Sequence, residues 1–344
     1  MIELSSEEAR RLRARAHLIG GSSLSPAQVV ERAVALQGQD LGAVMRAIAL
    51  RSAPGTTLDD VRAAFHAGQI VRGWPMRGTV FATTLRDLAA LHVHTRDRML
   101  RSCLRRHELI GLTEAQLDLA RETSRVALAG GSLSRDELCT AWREAGVEIG
   151  EGHGYHLVYH LSTEGLIHYA GVDGRDQRIA LTPEVPLDDP EVELVRIVRG
   201  YFRARGPAAL DDLAWWTKLP KAMLKRAAAE IEGLETVLVD GRELQLLDDG
   251  VAGGELPTVA LIPAFDEWIL GYGERGLVAS PEAMRLVATV NGIFRPAVLH
   301  EGQVVGIWRE PSSTRRTPEV DYVAEPTAAF RAAVDSAIAA WELR

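Results

Sequence analysis

Apolar residues recur at helical spacing through the first seventy residues of the chain, and the pattern breaks at residues that favour turns. It predicts an arginine-rich helix from Leu4 to about His17 and another from about Leu41 to Leu50. Ser25-Pro26 marks a helix start between them, because serine caps free N–H groups and proline fits the first helical position. A further helix begins at Thr57 and ends near Gly68. The stretch from Ile70 to Thr83 alternates and predicts a pair of strands.

This order, short helices followed by a strand pair, recurs twice along the chain. In the first recurrence the predicted elements are helices at Asp136–Ala145 and Tyr155–Glu164 and strands at Leu166–Tyr169 and Gln177–Leu181. In the second they are helices at Glu191–Arg205, Leu210–Trp216 and Lys221–Ile231 and strands at Val237–Val239 and Leu244–Leu246. Helix, turn, helix and β-hairpin is the order of a winged-helix unit.

The carboxyl-terminal segment has a different pattern. After an acidic, glycine-rich linker at Asp248–Glu255, the predicted elements are strands at Thr258–Ile262, Ala297–Leu299 and Val304–Trp308 and helices at Pro281–Val290 and Pro326–Leu343. The sequence therefore predicts an α+β fold. It consists of three tandem winged-helix units at residues 1–110, 111–185 and 186–250, followed by a small β-rich carboxyl-terminal module at 251–344.

The charge is distributed unevenly. The net charge is −8, but residues 1–110 hold 16 Arg and no Lys against 10 acidic residues, a balance of +6. The rest of the chain carries −14. Because the Arg guanidinium matches phosphate geometry, this asymmetry favours a nucleic-acid partner for the amino-terminal unit. A base-composition bias of the genome is the alternative explanation for the Arg excess.

Several classes of protein and site are not favoured. No run approaches the roughly 20 apolar residues of a membrane span, and the charged stretch Met1–Arg15 does not resemble a signal peptide. Cys103 and Cys139 lack metal-binding spacing and fit a reducing cytoplasm, so we expect a cytoplasmic, nucleoid-associated bacterial protein. His156 and His160 have the i, i+4 spacing of a zinc pair, but no third ligand stands out, so we expect neither a metal nor a cofactor.

Two short motifs could carry chemistry. Gln37-Gly38-Gln39 is expected at a break between two helices, where both carboxamides could project into one cleft. A carboxamide cannot act as a base, but it can hold a water molecule. Helix capping and turn hydrogen bonds are the alternative. Asp266-Glu267 is more simply explained by buried pairing with Arg275 or Arg295 than by acid–base catalysis.

Excision of an N7- or N3-alkylated purine is a reaction for which carboxamides suffice. The alkylated base is already cationic and leaves without a general acid, so positioning of water is the main task. In Trp74-Pro75-Met76-Arg77-Gly78-Thr79, Arg77 offers a fork for a phosphate and Thr79 a hydroxyl. A strand turn with a surface arginine is the alternative. Aromatic residues make up only 6% of the chain and none stands beside Gln37, so we expect an open site without stacking surfaces that could admit bulky adducts or interstrand crosslinks.

With these motifs together, the chain resembles the winged-helix DNA glycosylases of the AlkZ and YcaQ type. The matching motifs keep the family's order over nearly the whole chain: Gln37-Gly38-Gln39, Arg72 to Thr79, Phe265-Asp266-Glu267, Leu270-Gly271-Tyr272, Phe294 to Leu299 and Val304 to Arg309.

The resemblance implies a C-shaped molecule that embraces duplex DNA and acts as a monofunctional glycosylase without metal or cofactor. It implies catalytic roles for Gln37 and Gln39 and places the chain in the Gln-x-Gln branch, which is associated with self-resistance to DNA-alkylating antibiotics. Asp40 is not the acid of the sister branch. Two departures stand out: Gly38 replaces an apolar residue, and Phe81 stands where the family commonly has histidine.

The hairpin predicted from Phe294 to Trp308 is a second candidate for DNA contact. His300 stands at its tip and Arg309 follows its second strand. An exposed tip with no apolar partner is difficult to explain as core, although a plain surface turn is the alternative.

A winged-helix transcription regulator or an architectural DNA-binding protein remains the alternative function. A regulator would need a dimer element to match DNA half-sites, and none is evident, so we expect a monomer bound to duplex DNA with alkylated purines.

Overall fold

The computed structural model describes residues 2–150, 152–174, 176–248, 250, 253–311 and 316–342. Helices and three sheets form a mixed α+β fold in this part of the chain, which confirms the predicted class. The number of winged-helix units and the boundaries at 110, 185 and 250 stay predictions. None of the described helices is long and apolar enough to cross a membrane.

The amino-terminal segment contains short helices, a hairpin and one long helix. Its elements are β1 (Ile2–Leu4), α1 (Ser6–Ala16), α2 (Pro26–Ala33), β2 (Ala35–Gln37), α3 (Leu41–Arg51), α4 (Leu58–His66), β3 (Val71–Met76), β4 (Thr79–Thr83) and α5 (Leu85–Ile110). The predicted helix starts are confirmed, because Ser25 and Thr57 each form a capping box with the residue three positions later. The 26-residue helix α5 has no counterpart in the sequence-based prediction.

After this first segment, the second and third segments are helical and each ends in a β-hairpin. The second segment contains α6 (Glu114–Ala127), α7 (Arg135–Glu144), α8 (His153–Glu164), β5 (Ile167–Asp173) and β6 (Asp176–Leu181). The third segment contains α9 (Pro190–Arg205), α10 (Leu210–Thr217), α11 (Lys221–Ala229), β7 (Glu235–Val239) and β8 (Arg242–Leu246). Strand β1 adds in parallel to the hairpin of the third segment, pairing Ile2 with Val237. Apart from the additional helix α6, these elements follow the predicted order.

The carboxyl-terminal segment is built on a sheet with strand order β12-β11-β10-β9. Its elements are β9 (Val259–Ile262), α12 (Glu267–Leu270), α13 (Pro281–Val287), β10 (Ala297–His300), β11 (Gln303–Arg309), β12 (Glu319–Tyr322) and α14 (Ala328–Glu342). Trp341 of α14 shares a core with Trp308 on one face of the sheet, and Val287 of α13 shares a core with Ile307 on the other. The faces differ because successive residues of a strand point to opposite sides.

The sheet that positions the candidate site combines strands of the first two segments. Its order is β2-β4-β3-β5-β6, with β2 at one edge. Gln37 of β2 pairs with Phe81 of β4, and Arg72 of β3 pairs with Tyr169 of β5. The glutamine motif and the hairpin of the second segment therefore belong to one continuous sheet.

Candidate active site

Gln37-Gly38-Gln39 lies between helices α2 and α3, as predicted, but Gln37 ends the short strand β2, which the sequence analysis did not predict. Val34, at the end of α2, has a positive φ of 66° that directs the chain into the strand before the apolar pattern ends. Asp40 then caps α3, and its Oδ1 accepts a hydrogen bond from the Ala43 N–H at 2.8 Å. The motif thus spans the end of an edge strand and the start of a helix.

The two glutamines differ in exposure although one residue separates them. Gln37 is only 7% exposed, and its Oε1 accepts a hydrogen bond from Arg77 Nη2 at 3.3 Å. Gln39 is exposed and lines a large cleft, and its Oε1 accepts a long hydrogen bond of 3.5 Å from the Val80 N–H. The structure therefore brings Gln39 to the cleft wall and leaves Gln37 in the interior.

Gly38 fits a space that no larger residue could occupy without moving the backbone. Its N–H donates to the Val80 carbonyl at 2.8 Å, and its own carbonyl accepts from Arg72 Nε at 2.9 Å. A Cβ at this position would lie 2.9 Å from the Ala82 nitrogen and 3.0 Å from the Phe81 carbonyl carbon. The close approach of β4 therefore favours glycine at this position.

The carboxylates Asp266 and Glu267 are buried and paired, as predicted, but not with Arg275 or Arg295. Asp266 binds Arg51 through two hydrogen bonds of 2.7 and 3.0 Å. The predicted partners are wrong because helix α12 begins at this point and turns both side chains towards the first and third segments, away from their sequence neighbours.

Glu267 links this ionic network to the glutamine motif. Its Oε1 accepts the backbone N–H of Gln37 at 3.1 Å. Its Oε2 accepts from Arg205 Nε at 2.9 Å and from Trp216 Nε1 at 3.1 Å. Three donors thus satisfy one buried carboxylate, and the end of β2 is fixed by it.

Arg77 turns inward from the β3–β4 turn, where it has a positive φ of 57°. Besides Gln37 it contacts the Leu270 carbonyl at 3.4 Å, and its guanidinium lies 4.6 Å from the centre of the Trp215 ring. Burial lowers the pKa of Arg77 to about 10, so the side chain stays charged at neutral pH. The Thr79 hydroxyl is buried and has no hydrogen-bond partner among the described residues. Phosphate contacts by Arg77 and Thr79 stay predictions.

The β10–β11 hairpin has an apolar support that the sequence analysis did not expect. His300 is exposed at the tip, but its ring packs against Phe330 of α14 with ring centres 4.7 Å apart. The expectation of a tip with no apolar partner is therefore wrong. Arg309 donates to Glu319 Oε2 at 3.2 Å and also pairs with Asp321. Contact of His300 and Arg309 with DNA stays a prediction.

A cleft of about 990 Å³ opens beside Gln39 between the first, second and carboxyl-terminal segments. Its charged lining residues are Arg46, Arg62, Arg72, Arg135, Arg295, Arg309, Asp40, Asp136, Asp176 and Glu310. Six arginines and four carboxylates thus line the cleft, and guanidinium groups suit an anionic partner such as phosphate.

The cleft also has aromatic surfaces, which corrects the expectation drawn from sequence neighbours of Gln37. Tyr155 of α8 and Tyr169 of β5 both line it. Their ring centres lie 6.0 and 5.5 Å from that of Trp74, which is fully buried behind them. No local signal could have revealed this wall, because the pairing of β3 with β5 creates it.

Comparisons with known proteins show which family the chain resembles. The model of the family described as DNA glycosylase AlkZ-like matches residues 30–343. An interstrand DNA cross-link repair glycosylase of Streptomyces sahachiroi is 25% identical over 309 residues, which cover 83% of this chain and 82% of that protein. The solved structure of Streptomyces sahachiroi DNA glycosylase AlkZ has a similar fold, with a TM-score of 0.79 at 21% identity over 98% of this chain and 95% of that chain.

The family match leaves out only the first 29 residues and the last one. It sets aside the alternative of a regulator or an architectural protein without catalysis, because the matched family consists of enzymes. The chain belongs to the AlkZ-like family of DNA glycosylases.

Proposed function

We propose that this DNA glycosylase removes alkylated purines, N7-alkylguanine or N3-alkyladenine, from duplex DNA by hydrolysis of the N-glycosidic bond. The observation that carries the proposal is the position of Gln39, an exposed carboxamide on the wall of an arginine-rich cleft. The alkylated purine is already cationic, so the electron pair of the breaking C1′–N bond neutralises it as it leaves. Water adds to C1′ and releases its proton to solvent.

In this mechanism Gln39 holds the attacking water. Its Oε1 accepts a hydrogen bond and its Nε2 donates one, although the carboxamide cannot remove a proton at neutral pH. The 3.5 Å bond from Val80 is long enough for a water molecule to replace it at little cost. Gln37 is a positioning residue, because its bonds to Arg77 and Glu267 hold the backbone that carries Gln39.

The proposed arrangement on DNA is a monomer whose three winged-helix units and carboxyl-terminal module form a C-shape around the duplex. The cationic lining of the cleft supports this arrangement. Arg77 and Thr79 would contact the DNA backbone, and His300 and Arg309 would contact it from the β10–β11 hairpin. Arg77 and Arg309 would have to exchange their present partners for phosphate oxygens on binding.

The same site suits bulky adducts and interstrand crosslinks. A cleft of about 990 Å³ is larger than a purine base requires, and Tyr155 and Tyr169 offer aromatic surfaces for an adduct or an unstacked base. Similarity to the interstrand DNA cross-link repair glycosylase of Streptomyces sahachiroi supports a crosslinked substrate. A role in self-resistance to DNA-alkylating natural products follows from this substrate class.

The test is single-turnover excision from a duplex that carries one N7-methylguanine, followed by heating in alkali. We expect strand breaks at the modified position and none in the unmodified duplex. Affinity for the duplex should fall linearly with salt on logarithmic axes, because phosphate contacts release counterions. Absence of alkali-labile sites on N7-methylguanine and on a bulkier N7 adduct would refute the proposed substrate class.

A further inference from the structure

Three side chains of the kinds that bind transition metals meet between α5 and α8. Cys103 and His107 are four residues apart on α5 and therefore lie on one face of that helix. His160 reaches them from α8. One ligand atom from each, the Cys103 sulfur and one nitrogen of each histidine, lie within 4.8 Å of one another, and all three residues are buried.

The partner of His160 is not the one that sequence spacing suggested. His156, one turn earlier on α8, accepts a hydrogen bond from Arg106 at 3.1 Å. The i, i+4 pair that contributes to the cluster is Cys103 and His107 on the other helix. The sequence could not reveal this set, because packing of α5 on α8 brings its members together.

His160 has a ring nitrogen that needs a partner. Its Nε2 lies 3.0 Å from Glu164 Oε1, and in the tautomer that carries its hydrogen on Nε2 this nitrogen donates to that carboxylate. Nδ1 then presents a lone pair, is buried, and has no hydrogen-bond partner among the described residues. A histidine that donates one N–H to a carboxylate while its other nitrogen binds a metal is the usual arrangement in metal sites.

The surrounding charge suits a dication. Arg121 Nη2 lies 3.3 Å from His160 Nε2, but this guanidinium is bound by carboxylates: Glu164 at 2.6 Å, Glu114 at 2.7 Å and Asp118 at 2.6 Å. One positive charge thus faces three negative ones, and the group retains a net charge of −2.

We propose that Cys103, His107 and His160 bind one Zn²⁺ ion. Zinc takes thiolate and imidazole ligands in a tetrahedral arrangement, at about 2.3 Å from sulfur and about 2.0–2.1 Å from nitrogen. The Cys103 thiol releases its proton to solvent on binding, and the zinc–sulfur bond replaces the weak hydrogen bond from Sγ to the Met99 carbonyl. Water occupies the fourth position.

The ion would link α5 of the first segment to α8 of the second. Tetrahedral bond lengths require ligand atoms about 3.4–3.6 Å apart, so the side chains close by about 1 Å on binding. Glu164 is a positioning residue that orients the His160 ring.

The test uses untagged protein purified without chelators. We expect elemental analysis to find about one zinc per chain. Cobalt titrated into the zinc-free protein should give a thiolate-to-metal charge-transfer band and the visible absorption of tetrahedral cobalt. Because this titration uses the unaltered chain, absence of both zinc and the thiolate band would overturn the proposal whatever the variants do.

Variants then assign the ligands. Cys103→Ser should abolish the charge-transfer band, and His160→Gln should weaken binding at least tenfold, whereas Glu164→Gln should weaken it about 10–100-fold. Cys139→Ser and His156→Gln are the matched controls and should bind cobalt like the unaltered protein. An unchanged band in Cys103→Ser would refute the site. Base excision is not measured, so the outcome is independent of the proposed substrate.

Discussion

Gln37 and Gln39 lie two residues apart, yet their surroundings are opposite. Around Gln37 the two buried carboxylates have partners: Glu267 binds Arg205, and Asp266 binds Arg51. Around Gln39 the wall is open to solvent, and arginines outnumber carboxylates among the residues that line it. A buried framework thus fixes the backbone, while the Gln39 carboxamide that we propose to hold the attacking water remains accessible. A precisely positioned site needs such rigid support beneath an accessible group.

Glu267→Ala should destabilise the buried framework around Gln37, and this is the largest effect that we expect. It leaves Arg205 buried with its charge unpaired and removes the acceptor of the Gln37 N–H. Loss of one partner of a buried ion pair typically costs about 3–5 kcal/mol of unfolding free energy. Urea denaturation measures it.

The matched control for this prediction is Glu282→Ala. Glu282 pairs with Arg285 on the surface of α13, so its loss should leave the urea midpoint almost unchanged. Equal midpoints for the two variants would show that the buried network contributes no more than a surface pair.

Gln39→Ala should slow base excision at the cleft without destabilising the protein. Loss of a group that acts mainly in the transition state typically slows a reaction by about a hundredfold. Melting temperature and DNA affinity should stay close to those of the unaltered protein, because Gln39 is exposed and the hydrogen bond that it accepts from the Val80 N–H is long. Single-turnover excision on N7-methylguanine DNA measures the rate.

Two further variants sharpen this result. Gln69→Ala removes an exposed carboxamide outside the cleft and should keep the full rate. Gln39→Asp should keep part of it, because a carboxylate can also accept a hydrogen bond from water. A normal rate in Gln39→Ala with a lowered melting temperature would make the residue structural.

Lowering the pH should reduce the free energy of unfolding through the buried framework. The carboxamide of Gln39 does not titrate and should be unaffected. Burial, followed by the charges of Arg51 and Arg205, holds the pKa of His17 well below its usual value. Below about pH 6.5 the unfolded chain binds a proton that folded His17 does not, so this residue contributes a loss of up to about 1.4 kcal/mol of unfolding free energy per pH unit. Burial also lowers the pKa values of His92 and His168 to about 4, so these residues add to the loss. His17→Gln should therefore reduce the slope between pH 6.5 and 5 without abolishing it.

The control for the pH dependence is His66→Gln, which replaces an exposed histidine and should keep the slope of the unaltered protein. Urea denaturation at pH 7, 6 and 5 measures all three proteins. A free energy of unfolding that is constant over this range would contradict the assignment of a neutral, buried His17.

The parts of the fold that sequence predicts are those fixed by neighbouring residues. Ser25 and Thr57 cap helices whose first turns follow immediately, so their starts could be read directly. The sequence analysis missed helix α5 because polar residues interrupt its buried stripe. His92, Thr95 and His107 lie on that stripe with Leu91 and Met99, and the stripe packs against elements distant in sequence.

The same limit applies to the site. Gln37 and Gln39 could be identified because they stand in one short motif that matches a family. Tyr155 and Tyr169 reach the cleft only through the pairing of β3 with β5. The partner of Glu267, Arg205, comes from α9, and nothing in the local pattern connects the two.

The smallest expected effect concerns Asp40, the carboxylate next to Gln39. Asp40 lines the cleft, but its Oδ1 already caps α3 through the Ala43 N–H. Asp40→Ala should therefore lower the free energy of unfolding by about 1 kcal/mol, and Asp40→Ser should retain most of it, because serine is also a good cap. Both variants should excise N7-methylguanine at the rate of the unaltered protein. If Asp40 were the acid that activates water, Asp40→Ser would lose rate as severely as Asp40→Ala while keeping its melting temperature. Melting temperature and single-turnover excision, measured on the same samples, distinguish a helix cap from a catalytic residue. They show whether the residues that act in the reaction end at Gln39 or include Asp40.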